Sequence, residues 1–181
     1  MSRGLTLRPL DDDDAAELCA VLTANRAHLA RFMPRLSGRT HTVASCRRLI
    51  ARLSRRIARG EWQLGIFVDG ALAGAVSLSS SGELGYWIAG EHEGHGHARA
   101  AARALLEATP RATIEIRTAA ENLRSQAVAR ALGFVPVDGL ERWVLVRSST
   151  IPHGNPWAPP ASSSSRSSGT TASPSPAMPA S

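Results

Sequence analysis

The stretch from Trp62 to Gly90 constrains the fold most, because it has the pattern of three consecutive antiparallel strands. Two turn signals divide its apolar runs: Asp69-Gly70, a dipeptide preferred in tight hairpins, and the Ser- and Gly-rich residues 79–82. After this stretch the hydrophobic period changes, and apolar residues recur at helical spacing from Ala98 to Leu106. The sequence therefore predicts an antiparallel sheet that runs directly into a helix.

The flanking segments predict further helices and strands. Upstream we expect a strand from Leu5 to Leu10, a helix that ends at Pro34, and a second helix from about Thr42 to Arg59. Downstream we expect a strand in ATIEIRT, a helix between Asn122 and Gly133 with a buried stripe, and two strands around Asp138-Gly139. The predicted stripe consists of Ala127, Val128, Ala131 and Leu132. The order β-α-α-β-β-β-α-β-α-β-β predicts an α+β fold, a mixed and mostly antiparallel sheet with helices on both faces.

Composition divides the 181 residues into two parts. Residues 148–181 hold 34 residues with one charge, Arg166, and consist mostly of Ser, Pro, Ala, Thr and Gly. Such a segment has too little apolar surface to offset the entropy of ordering it, so we predict a disordered tail. Residues 1–147 are then one folded domain, long enough to build a core without disulfides.

The sequence argues for a cytoplasmic protein. Its start lacks the apolar core of a signal peptide, and no run of about 18 apolar residues predicts a membrane span. Cys19 and Cys46 fall within apolar helical patterns, so we expect buried thiols in a reducing compartment.

Positive charge is concentrated in the N-terminal third. Residues 1–60 carry 12 arginines against 5 acidic residues, residues 61–147 carry 8 against 10, and lysine is absent from the whole chain. Five arginines share one face of the second predicted helix: Arg48, Arg52, Arg55, Arg56 and Arg59. No aromatic residues interleave with them, so we expect a solvated face, or one that attracts an acidic acceptor, rather than a nucleic-acid site.

The segment GELGYWIAGEHEGHGHARA joins the third strand of the meander to the following helix. Gly94 and Gly96 permit positive φ angles and the close approach of an anion, while a helix N-terminus offers free backbone N–H groups. This junction predicts a phosphate-binding loop. From spacing alone, a tight turn into a helix explains it equally well.

Two motifs resemble those of a known superfamily. E-G-H-G-H-A is similar to the Q/R-x-x-G-x-G/A acyl-CoA loop of the GNAT N-acetyltransferases, with Glu93, Gly96 and Ala98 at the defined positions. GYWIAGEHEGHG and AAENLRSQAVARALGF resemble blocks of the ribosomal-protein, RimJ/RimL-like, branch, and the likeness spans residues 3–147. It implies the GNAT fold and an acetyl-CoA-dependent N-acetyltransferase. Direct transfer in a ternary complex fits the absence of a placed Cys or Ser–His nucleophile pair.

The resemblance also implies how acetyl-CoA is held. The loop amides would cradle its pyrophosphate, and the fourth strand would splay from the fifth and offer free backbone groups to the pantetheine arm and the thioester oxygen. The implied loop residues are Glu93, Gly94, His95, Gly96, His97, Ala98 and Arg99, and the implied strand residues are Trp87, Ile88 and Ala89. Asn122 would bond the pantetheine and can also cap its helix. Glu93 departs from the usual Gln or Arg and puts a carboxylate beside the phosphates.

Two residues are candidates for proton transfer. Glu83 lies on the same strand face as Gly85 and Trp87 and is the candidate base, with an exposed turn glutamate as the alternative. Ser125 matches the serine of the ribosomal-type motif and is the candidate acid for the departing thiolate, with a helix-capping role as the alternative. Many relatives use a tyrosine on the helix after the fifth strand, whereas the single tyrosine of this chain, Tyr86, lies elsewhere in the sequence.

The acceptor site is expected between the first two helices and the last hairpin. Its candidate residues are Asn25, His28, Phe32, Met33 and Trp143. We expect the acceptor to be a protein N-terminus or a small-molecule amine. The last hairpin is much shorter than that of the ribosomal type, which helps wall the acceptor site, so the resemblance does not imply a ribosomal substrate. We expect no metal at His92, His95 and His97, since a loop offers their rings no supporting shell, and a monomer or homodimer. The alternative function is a non-catalytic, regulatory acyl-CoA-binding module; a nucleic-acid adaptor ranks third.

Overall fold

Two antiparallel sheets organise the part of the chain that the computed structural model describes, residues 4–38, 41–139 and 141–147. The strands are β1 (Leu5–Arg8), β2 (Trp62–Val68), β3 (Ala71–Leu78), β4 (Leu84–Ile88), β5 (Thr113–Arg117), β6 (Val135–Asp138) and β7 (Arg142–Val146). The helices are α1 (Ala15–Ala24), α2 (Arg26–Ala30), α3 (Pro34–Ser37), α4 (Val43–Ile57), α5 (His97–Ala108) and α6 (Leu123–Ala131). The predicted tail, 148–181, lies outside these residues and stays a prediction.

The first sheet has the order β1-β2-β3-β4 and the second the order β5-β7-β6. The β2–β3 turn places Asp69 and Gly70 at φ 52° and 88°, as the hairpin signal predicts. Within the described residues, a single parallel bridge between Glu83 and Glu115 joins β4 to β5. The predicted α+β, mostly antiparallel fold is confirmed, with the sheet divided at this bridge.

The first predicted helix is divided at Asn25, which takes φ −97° and ψ 12°. Its side-chain amide donates to the Val21 carbonyl at 3.0 Å, and its Oδ1 accepts the N–H of Gly90 at 2.7 Å. The prediction that Pro34 ends a helix is wrong: it begins α3, at the first position, where the missing N–H costs nothing.

Helices cover both faces of the first sheet, as predicted. Along β2, Leu64 and Ile66 pack in one core cluster with α5, whereas Phe67 packs in another with residues of α1 and α4. All seven residues of β2 are buried as a result. This double burial explains why the strand, apart from Gln63, has apolar residues and a glycine instead of alternating polar positions.

The predicted stripe of α6 is wrong in phase. Ala127 and Ala131 are exposed, and the buried positions are Gln126 and Ala129. Gln126 is fully buried because its amide donates to the Ala120 carbonyl at 2.6 Å, which satisfies a polar group that would otherwise resist burial.

Both cysteines are free thiols, with Cys46 buried and Cys19 partly buried. Burial raises the pKa of Cys46 to about 11, so it stays a thiol at neutral pH and is a poor nucleophile. In the described ranges, every helix is too short or too polar to cross a lipid bilayer.

Candidate functional site

The loop after β4 has the backbone geometry that its glycines predict. A single helical turn at Gly90–His92 leads to Gly94 and Gly96, at φ 76° and 81°. Gly96 caps α5, and its carbonyl accepts the first helical hydrogen bond, from Ala100. The N–H groups of Ala98 and Arg99 therefore have no partner within the helix and point out of its positive end.

The free edge of β4 faces the opening between the two sheets. Bonded pairs alternate along an antiparallel ladder, and the N–H of Ala89 donates to Ala73 while that of Ser79 donates to Glu83. Odd-numbered residues of β4 therefore direct their backbone toward β3, and the even-numbered Tyr86 and Ile88 direct theirs into the opening.

This alternation corrects part of the predicted pantetheine surface. Ile88 has free backbone groups, as predicted. Trp87 directs its backbone groups at β3, opposite Ala75. Ala89 is fully buried, and its carbonyl also accepts the N–H of His92 at 2.9 Å. Neither Trp87 nor Ala89 offers a free N–H to a ligand.

Glu93 is held from two sides. Its carboxylate lies 3.3 Å from Nε2 of His28 and forms an ion pair with Arg124 on the first turn of α6. The carboxylate that departs from the family pattern is thus paired within the protein. His28 and Asn25, predicted to contact the acceptor, instead attach the α1–α2 region to this loop, through Glu93 and Gly90.

Three histidines cluster on the loop. The rings of His95 and His97 stack with centroids 5.7 Å apart, and His92 meets His97 edge-on at 6.1 Å. Nδ1 of His92 is buried and has no hydrogen-bond partner among the described residues. Within those residues, no group of three or more His, Cys, Asp or Glu side chains has an arrangement suited to a metal ion.

The start of α6 lies against β4. Oδ1 of Asn122 accepts the N–H of Ser125 at 3.1 Å, so the capping role of Asn122 is present. The hydroxyl of Tyr86 lies 2.9 Å from Oγ of Ser125 and donates to the Ser125 carbonyl at 3.2 Å. Burial raises the pKa of Tyr86, and its bond to Ser125 partly opposes that shift. Sequence reasoning placed Tyr86 away from the candidate acid, but the fold brings the two hydroxyls together.

Glu83 lies at the end of β4 remote from the loop. Its side chain is exposed. Its N–H donates to Oγ of Ser79 at 3.0 Å, and its carbonyl accepts the N–H of the same residue at 2.9 Å. These contacts match the turn alternative, and the role of Glu83 as a base stays a prediction.

A cavity of about 560 Å³ opens between the N-terminal helices and the first sheet. Phe32 and Met33 line it, as predicted for the acceptor site, and Tyr86 and Trp87 line its β4 side. Its polar lining includes Arg52, Arg56 and Gln63. Trp143 lies elsewhere: it is 1 % exposed in the core, under the guanidinium of Arg130. The last hairpin therefore contributes core packing here instead of the predicted acceptor contact.

Comparisons with known proteins agree with this geometry. The family model described as acetyltransferase (GNAT) domain matches residues 4–135. The "Putative ribosomal N-acetyltransferase YdaF" of Bacillus subtilis (strain 168) is 29% identical over 142 residues, 72% of this chain and 78% of that protein.

Two solved structures share the fold. RimL, the ribosomal L7/L12 alpha-N-protein acetyltransferase in complex with coenzyme A, has a TM-score of 0.70 at 19% identity, covering 81% of this chain and 95% of that one. The microcin C7 self immunity acetyltransferase MccE, in complex with acetyl-CoA and AMP, has 0.69 at 18%, covering 81% and 94%. The family model matches more than half of this chain, so the chain belongs to the GNAT acetyltransferases, and RimJ/RimL-like acetyltransferases are among the proteins that it resembles.

Proposed function

We propose that this protein transfers an acetyl group from acetyl-CoA to a primary amine, by direct attack in a ternary complex. One observation carries the proposal: the free edge of β4 leads directly into the left-handed glycine loop, and the 560 Å³ cavity reaches the same strand at Gly85, Tyr86 and Trp87. The loop has room for a phosphate, because a Cβ added at Gly94 would meet no atom within 4 Å.

Each part of this site then has a role. The N–H groups of residues 95–99 bind the pyrophosphate, where charge-assisted bonds contribute about 1.5–3 kcal/mol each. Ile88 pairs with the pantetheine arm along the open edge of β4, and Asn122 bonds it from α6. The N–H of Tyr86 or Ile88 is placed to stabilise negative charge that develops on the thioester oxygen.

The amine arrives from the cavity side of β4. Most amines are protonated at neutral pH, so a base must remove a proton before attack, and Glu83 acting through water is our candidate. Ser125 is the candidate donor to the departing thiolate. Glu83→Gln and Ser125→Ala should leave acetyl-CoA affinity intact and lower turnover.

A protein N-terminus is the acceptor that the comparisons favour. The names of YdaF and RimL give ribosomal proteins as the substrates of those relatives. The cavity is mostly apolar, and its arginines Arg52 and Arg56 lie on the positive face of α4. A flexible peptide end fits such a site, and a small amine is the other candidate. A cytoplasmic location and a monomeric or homodimeric state stay predictions.

The decisive experiment measures thiol release from acetyl-CoA with N-terminal peptides, including those of ribosomal proteins, and with small amines. Mass spectrometry then identifies the acetylated product. Because the chain has no lysine, its own side chains offer no amine, and self-acetylation cannot exceed one acetyl per chain, at the N-terminal amine. Calorimetry with acetyl-CoA completes the test: good binding without turnover on any acceptor would instead indicate the regulatory, non-catalytic module.

A further inference from the structure

The one tyrosine of the chain lies where the thioester is expected to react. Tyr86 stands in β4 between Gly85 and Trp87, and all three line the cavity. Its hydroxyl reaches from β4 to the first turn of α6 and contacts both Oγ and the carbonyl of Ser125. Tyr86 and Ser125 are 39 positions apart in the sequence. The single proton of the phenol lies within hydrogen-bond reach of both oxygens, and the orientation in which it is donated to Oγ is the one that proton transfer to Ser125 requires.

A serine on its own is a poor source of a proton for a thiolate. An aliphatic hydroxyl is a far weaker acid than a thiol, so a lasting transfer would leave an alkoxide less stable than the thiolate it neutralised. A phenol titrates near 10, within about two pH units of a thiol near 8.5. A serine that receives a proton from a neighbouring phenol as it gives up its own is therefore an effective donor.

The surroundings suit this transfer. Burial raises the pKa of Tyr86 and makes the phenol a weaker acid, whereas its bond to Ser125 lowers that pKa and so favours donation through this contact. The first turn of α6 holds Ser125 through the Asn122 cap, and the positive end of the helix stabilises negative charge that develops on either oxygen.

We propose that Tyr86 supplies the proton that Ser125 gives to the leaving thiolate, an inference that rests on the proposed function. As the carbon–sulfur bond of the thioester breaks, the sulfur takes the proton of Ser125 Oγ. The Ser125 oxygen takes the proton of Tyr86 Oη in the same event. The resulting phenolate recovers a proton from water, so charge and protons balance over the cycle.

Kinetics of Tyr86→Phe, Ser125→Ala and the double variant test the relay. We expect each single variant to lower kcat about 10- to 100-fold, with KM for acetyl-CoA within about twofold of the wild type. The double variant should be no slower than the slower single one, since both remove the same transfer. Ser54→Ala, which removes a hydroxyl bonded only within α4, is the control and should keep its kcat.

A second donor separates proton supply from packing. With the acetyl thioester of an acidic aromatic thiol, the leaving thiolate needs no proton, so the defect of Tyr86→Phe in kcat/KM should shrink at least tenfold. A purely structural role would leave that defect unchanged with both donors. A kcat for Tyr86→Phe within twofold of the wild type, beside a slow Ser125→Ala, would overturn the relay.

A spectroscopic readout works without turnover. Because the chain holds one tyrosine, ultraviolet absorbance of tyrosinate during an alkaline titration reports Tyr86 alone. Ser125→Ala should raise the pKa of Tyr86, since its bond to Ser125 lowers that pKa in the wild type. An unmoved titration overturns the contact and the relay. Absence of thiol release by the wild type overturns the proposed function first, and the relay with it.

Discussion

At the scale of single residues, the loop depends on two backbone angles that only glycine adopts easily. Gly94 and Gly96 sit at φ 76° and 81°, and the space beside them is open. The requirement is therefore one of conformation and not of room. A side chain at either position would disfavour this angle, and the N–H groups that follow would no longer point at the predicted position of the pyrophosphate.

Gly96→Ala should weaken acetyl-CoA binding about tenfold or more, because the left-handed angle strains any residue with a Cβ. Gly60→Ala is the matched control: Gly60 has φ 85°, also in open space, after the end of α4. Both variants should lose similar thermal stability, but only Gly96→Ala should lose affinity in calorimetry. Equal affinities for the two would contradict the loop assignment.

Asp14→Asn should destabilise the fold in a pH-dependent way. The Arg8 guanidinium lowers the pKa of the Asp14 carboxyl, which accepts two Arg8 hydrogen bonds at 2.6 and 2.7 Å. The folded pKa is below the unfolded value near 3.9, so the stabilisation is complete above about pH 4 and is lost as pH falls through the folded pKa.

Because the Arg8 side chain is 41% exposed, we expect a loss of only about 1–2 kcal/mol at pH 7. Urea unfolding of Asp14→Asn and wild type at pH 7 and pH 2 measures it, and the difference should be smaller at pH 2. A constant difference at both pH values would contradict the role of the charge.

Residue roles that depend on backbone angles were readable from the sequence, and those that depend on distant contacts were not. At positions 94 and 96, the glycine residue type alone predicts the positive φ angles that the structure has. The Tyr86–Ser125 pair joins β4 to α6, and the ion pairs of Glu93 join three elements. No local pattern encodes such partners, because only the packed fold brings them within reach.

At the scale of elements, the break between α1 and α2 positions the loop. Asn25 is 5 % exposed, and its Oδ1 accepts the N–H of Gly90 just before the predicted phosphate-binding loop. The helix is interrupted at Asn25, the residue whose side chain bonds to the loop. This hydrogen bond connects the N-terminal helices to the start of the loop.

Asn25→Ala should lower stability by about 1 kcal/mol and raise KM for acetyl-CoA, because the N–H of Gly90 loses its acceptor. Asn25→Asp keeps an acceptor oxygen and should recover part of the affinity. Thr23→Val removes only an exposed hydroxyl bonded to Cys19 on the same helix and is the control. Steady-state kinetics with varied acetyl-CoA measure the effect, and an unchanged KM in Asn25→Ala would exclude a positioning role.

Strands and turns were predictable because their signals are local, as at Asp69-Gly70. The break at Asn25 was not, because apolar residues at helical spacing continue through it to Leu29. The phase of α6 was also missed, since Gln126 is buried through a hydrogen bond that hydrophobic periodicity does not register.

At the scale of the whole molecule, the last strand is tied back to the helix that starts at the loop. The guanidinium of Arg147 follows β7 and donates to the carbonyls of Leu106, Thr109 and Arg111. These oxygens lie at and beyond the end of α5, where helical carbonyls lack internal partners. Arg147 therefore closes the second sheet against the first.

A chain that ends at Arg147 should unfold at the same temperature as the full chain, because residues 148–181 are predicted to be a disordered tail. Arg147→Ala in the full chain should lower stability by about 2–3 kcal/mol, since it removes a charged donor from several carbonyls. Thermal unfolding followed by circular dichroism measures both. A lower midpoint for the truncated chain would show that residues 148–181 contribute to the fold.

Among the described residues, the bridge between Glu83 and Glu115 joins β4 to β5, and beyond it the two sheets separate, so that the edge of β4 at Ile88 has no strand partner. A reactant that pairs with Ile88 would lie beside β4 like an added strand and would contact both sheets. Ligands that bind only the folded form raise its stability with their concentration. The free energy of unfolding of this protein should therefore rise with the concentration of acetyl-CoA, and the protein should unfold more readily where acetyl-CoA is scarce.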